Sequence, residues 1–217
     1  ILARDPKQLA DGIASLQQAV RLNPNLAASY YHLGMALERS RNFQGAFDSY
    51  RKASLLAPDH YGNAMQLAHL LERAGKVEQA LVEYQKIAVI HSKNPQVPFQ
   101  MGMASEKLEK IGDAITHYRR SLTLSPNYVP ALNNLAFVLA TRTGHLSPGE
   151  AVKLATNAAE LTKHQQAAVL DTLASAYIAA EDSANARLTL KKALALAVAA
   201  KQSALVSELK EKLEKLD

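Results

Sequence analysis

The chain has 217 residues, with 25 Lys and Arg against 20 Asp and Glu, 48% hydrophobic residues and 6% aromatics, and alanine and leucine supply roughly a third of it. With 9 glycines and 8 prolines, this composition belongs to helices and excludes collagen-like, disordered and all-β chains, because alanine and leucine cost a helix least. The absence of cysteine removes disulfide frameworks, thiolate metal sites and cysteine nucleophiles. No apolar run approaches the ~18 to 20 residues of a membrane span, and the net charge of +5 is scattered in short pairs such as Arg119-Arg120 rather than gathered into a nucleic-acid-binding stripe.

At the N-terminus, Asp5-Pro6-Lys7-Gln8 reads as a helix start. Leu9, Leu16, Ala19 and Pro24 sit where the second helix of a preceding hairpin would put them, so residues 1–4 would be the stump of its first helix. From Ala27 the sequence repeats every 34 residues: Leu33, Leu67, Met101 and Leu135 share one column, and Gly34, Ala68, Gly102 and Ala136 the next. Ala46, Ala80 and Ala114 follow, then Tyr50, Tyr84 and Tyr118, then Pro58, Ser92 and Pro126. Each period holds two runs of apolar residues at steps of 3 to 4, split by a polar turn such as Arg73-Ala74-Gly75-Lys76, and so each is a helical hairpin. Gly or Ala in the small columns lets the two helices approach, the tyrosines fill the wedge between hairpins, and Pro58 and Pro126 close the second helix.

In chain order the periods are 27–60, 61–94, 95–128, 129–166 and 167–200. The third places Val97 before Pro98, which disfavours helical angles at Val97 and predicts a helix starting at Pro98. The fourth carries a loop about three residues longer, through Thr141 to Glu150, where Ser147-Pro148-Gly149-Glu150 reads as a capping box. Residues 201–217, with Leu205, Leu209, Leu213 and Leu216 on one stripe, read as a helix covering the last exposed face.

These columns resemble the tetratricopeptide-repeat family, and the residues from Ala27 to His60 match as Tyr30, Leu33, Gly34, Leu37, Ala46, Tyr50, Ala53 and Pro58. The resemblance implies an all-α, right-handed α-solenoid of antiparallel helix hairpins ending in a C-terminal capping helix. Residues 1–217 would form one domain, opening on a partial repeat over 1–26, and a longer parent chain is expected.

The resemblance also places groove-facing side chains at fixed positions of each repeat, first helices forming the concave wall. The fifth and ninth positions hold Tyr31 and Met35, Met65 and His69, Phe99 and Met103, Asn133 and Phe137, then Asp171 and Ser175. The sixth holds His32, Gln66, Gln100, Asn134 and Thr172, similar to the asparagine ladder of O-linked N-acetylglucosamine transferase repeats. The twelfth and thirteenth hold Glu38-Arg39, Glu72-Arg73 and Glu106-Lys107. Methionine and aromatic side chains in a concavity suit an apolar or amphipathic segment of a partner, and amides can serve its backbone. A packed core uses the same residue types at the same spacing, and alternating Glu and Arg also serve solubility, so both readings stand. The carboxylate clamp of the chaperone-binding members is absent, because its places hold Tyr31, Met35, Gln66, Gln96 and Gln100; a partner with an acidic C-terminus is therefore disfavoured as the main ligand.

No nucleophile elbow, phosphate loop or dinucleotide fingerprint occurs, no metal-ligand spacing joins His32 and His69 to a third ligand, and no cofactor is implied. The expected role is a non-catalytic scaffold or adaptor binding a peptide or helical segment of a protein partner, with no nucleic acid and no membrane span. Two alternatives accompany it: the substrate-positioning repeat region of a larger bacterial glycosyltransferase or envelope-assembly protein, and a self-assembling homo-oligomer.

Overall fold

The computed structural model describes residues 6–216. Among them are twelve helices and no strand, and the chain divides into two compact units at Lys93 and Asn94. No helix among the described residues is long and apolar enough to cross a membrane.

Unit 1 contains α1 (Pro6–Leu22), α2 (Ala27–Arg39), α3 (Phe43–Leu56), α4 (Tyr61–Arg73) and α5 (Val77–Ile90). α2 pairs with α3 and α4 with α5 as antiparallel hairpins, while α3 also packs on α4 and α1 on α2. Unit 2 contains α6 (Gln96–Lys107), α7 (Ile111–Leu124), α8 (Val129–Thr141), α9 (Pro148–Leu161), α10 (Ala167–Ala179), α11 (Ser183–Ala199) and α12 (Ser203–Glu214). Its hairpins are α6–α7, α8–α9 and α10–α11, each packed on the next, with α12 against α11. Each unit is a short α-solenoid, whose stability comes from stacking hairpins that cannot bury their apolar faces alone.

The small columns act as the sequence requires. A Cβ on Gly34 would stand 2.7 Å from the Tyr50 ring, and one on Gly102 2.5 Å from the Tyr118 ring. Glycine is therefore what lets each tyrosine lie across the first helix of its own hairpin, so these rings fill more than the wedge between neighbours. Tyr50, Tyr84 and Tyr118 are wholly buried.

Four of the five corners between paired helices share one device. The first helix ends in a left-handed residue, Arg41 (φ 62°), Gly75 (φ 75°), Glu109 (φ 55°) or Glu181 (φ 61°), whose N–H returns to the carbonyl three residues back, at 2.9 to 3.0 Å. The next N–H, of Asn42, Lys76, Lys110 or Asp182, reaches five residues back, at 2.8 to 2.9 Å. This double bond satisfies carbonyls that the helix end leaves open.

Two expectations change. α6 starts at Gln96 rather than Pro98, because Pro98 falls in the first helical turn, where its missing N–H would have had no intrahelical acceptor, and Asn94 Oδ1 accepts the Gln96 N–H at 2.9 Å. Ser147 precedes α9 with Pro148 in the first turn, but its side chain makes no capping bond. The Ser147 N–H already donates to Leu139 O at 2.9 Å, and Glu150 turns instead to Arg119, whose Nη2 stands 2.8 and 3.0 Å from its two oxygens. At the N-terminus α1 begins at Pro6; Asp5 and the stump assigned to residues 1–4 lie outside the described residues.

Candidate binding face

In unit 1 the first helices α2 and α4 bring four of the sequence-selected residues around one cleft. Met35 and Arg39 of α2 and Gln66 and Arg73 of α4 enclose about 300 Å³ together with Glu38 and Tyr50. Tyr31, Met35, Gln66 and His69 are partly exposed, and His32, Arg39 and Arg73 are exposed. Met65 is not open to a ligand: only 4% of it is accessible. The Tyr31 ring stands 5.4 Å from His32, 6.0 Å from Tyr50 and 6.3 Å from His60, and His69 stands 6.1 Å from Tyr84. The two histidines suggested as a metal pair are thus each set against a tyrosine, and no group of three His, Cys, Asp or Glu converges among the described residues.

In unit 2, Gln100, Met103, Asn133 and Asn134 are partly exposed, and Lys107 and Phe137 are exposed. Phe99 is 9% accessible, its ring 5.8 Å from Tyr118 and 5.5 Å from Tyr128. Both Met65 and Phe99 therefore spend their surface on packing. Asn133 Nδ2 lies 3.5 Å from Asn134 Oδ1, Asn134 Nδ2 lies 3.4 Å from the Tyr118 hydroxyl, and that hydroxyl donates to Glu106. Asn133 Oδ1 is buried with no hydrogen-bond partner.

The sequence offers Glu38, Glu72 and Glu106 either as groove-facing charges or as solvated ones. Each accepts instead from the tyrosine twelve residues on: Tyr50 Oη to Glu38 at 3.0 Å, Tyr84 Oη to Glu72 at 2.7 Å, and Tyr118 Oη to Glu106. Burial, then the carboxylate acceptor, raises all three phenol pKa values well above the ordinary range, so the hydroxyls stay protonated donors. Glu38 also pairs with Arg73 of the following hairpin, and Glu106 lies 4.0 Å from Arg142. The signal was present in the sequence as a Glu column leading the Tyr column by a constant twelve. At the far end, Lys212 of α12 donates to Asp171 Oδ1 at 2.6 Å and to Ser175 Oγ at 3.1 Å, so the capping helix itself covers the last fifth and ninth positions.

The family model described as tetratricopeptide repeat matches residues 27–60 and 98–128, spans that contain the α2–α3 and most of the α6–α7 hairpin. The chain contains tetratricopeptide repeats. No curated protein matches the sequence, but solved tetratricopeptide-repeat structures resemble the fold. PilW, a widely conserved type IV pilus biogenesis factor, superposes with a TM-score of 0.72 at 17% identity over 94% of this chain and 91% of its own. YrrB, described as having an unusual peptide-binding site, gives 0.67 at 18% identity over 90% of this chain and 97% of its own. MamA gives 0.67 at 19% identity over 79% and 91%.

Proposed function

We propose that the first-helix faces of this chain bind a segment of another protein, making it a non-catalytic scaffold or adaptor. The observation that carries the reading is the cleft between α2 and α4, where an apolar side chain, an amide and two guanidinium groups converge from successive repeats (Met35, Gln66, Arg39 and Arg73). Such a set accepts a peptide's apolar side chain and its backbone together. In unit 2 the exposed Phe137 offers a separate apolar contact on α8. The description of YrrB as a peptide binder with this fold supports the same reading.

The test is a quantitative pull-down from lysate with wild type, Met35→Glu/Gln66→Ala and Asn133→Ala/Phe137→Ala as baits, alongside thermal melts. The expected result is a protein retained by wild type and lost from at least one variant, with melting little changed. Equal retention by all three baits overturns the reading. Phe99 is excluded from these variants because its buried ring makes Phe99→Ala a folding mutation.

A further inference from the structure

On the second-helix side of unit 1, α3, α4 and α5 line a separate cleft of about 530 Å³, a size that holds a small ligand. Its apolar wall includes Leu55, Ile87 and Ile90, and two of these are open to water, Leu55 at 72% and Ile90 at 50% accessibility.

The polar groups of this cleft favour an anion. Arg51 enters from α3 and Lys86 from α5, and with Glu83 they give the lining one net positive charge. Arg51 stands 3.7 Å from Asp48, beyond hydrogen-bond distance, and Lys86 pairs with Glu83 at 2.8 Å. Both are neighbours on one helix with well-exposed cations, the kind of pair that contributes little and exchanges readily.

We propose that this cleft binds a small aliphatic carboxylate, with its chain along Leu55, Ile87 and Ile90 and its head between Arg51 and Lys86. The site is independent of the first-helix face, because its lining includes none of the residues proposed there to hold a partner segment.

Sodium decanoate, kept below its micellar range, is the probe, followed by calorimetry and by amide chemical shifts. Wild type is expected to saturate at one equivalent, with shifts concentrated in α3 and α5. Arg51→Gln/Lys86→Gln should weaken binding at least tenfold, and the cationic decyltrimethylammonium should bind wild type at least tenfold more weakly than decanoate. The cation comparison uses unaltered protein and so does not depend on how the variant folds. Non-saturating uptake, shifts spread over both units, or equal binding of the anionic and cationic amphiphiles overturns the proposal.

Discussion

Unit 1 builds both of its hairpins around a tyrosine hydrogen-bonded to a glutamate, whereas unit 2 does so only in α6–α7 and builds its next two hairpins from leucine, valine and alanine. α9 buries Ala151, Ala155, Ala158 and Ala159, and α11 buries Ala186, Leu190, Ala193 and Ala197. The same helix pairing is thus reached in two ways. A large ring fills the space but brings a hydroxyl that needs a carboxylate, while alanine closes the distance and brings nothing to satisfy.

The comparison predicts different sensitivities. Tyr84→Ala should cost about 3 to 5 kcal/mol and Leu190→Ala about 2 to 5 kcal/mol, with hydrogen exchange showing the first loss confined largely to α4 and α5 and the second to α10 and α11. If both losses spread uniformly over all the helices, the two units do not differ in the way their packing indicates. A smaller effect separates the glycine hairpins from the alanine one. Gly34→Ala drives a methyl into the Tyr50 ring and should cost about 1 to 3 kcal/mol, while Ala68→Gly, whose native residue already fits beside Tyr84, should cost about 0.5 to 1 kcal/mol through chain entropy. Urea denaturation ranks them, and the reverse order would mean that the tyrosine shifts freely. The smallest change, Tyr84→Phe, keeps the ring and removes only the bond to Glu72, for about 0.5 to 1.5 kcal/mol; no loss in the same denaturation series would make the ring alone responsible for the hairpin.

Much of this architecture was legible in the sequence, because a 34-residue period with small residues at fixed places admits few solutions besides a hairpin array. What escaped was the direction of particular side chains. Met65 and Met35 occupy the same kind of column, yet one is 4% accessible and the other lines an open cleft, since a repeat position does not say how completely the neighbours cover it. Phe99 is closed off for the same reason, covered by Tyr118 of its own hairpin and by Tyr128 ahead of the next. A Glu beside an Arg reads equally as a groove contact or as solvated charge, and only the tyrosine column twelve residues away reveals the acceptor role of these glutamates. The cleft behind α3 and α5 left no mark, for exposed leucines and isoleucines taken singly are ordinary.

The corners carry one more consequence. Arginine, glycine and glutamate all serve at the left-handed position, with φ between 55° and 75°, so the corner is imposed by the two helices it joins and makes little demand on its own chemistry. Such sites tolerate added chain, and the α8–α9 connection already accommodates extra residues, with Gly144 at φ 84°, while Leu135 and Ala151 on either side remain buried. The corners are therefore the natural places to graft a tag, a fluorophore or a new recognition loop while leaving the stacked helices as they are.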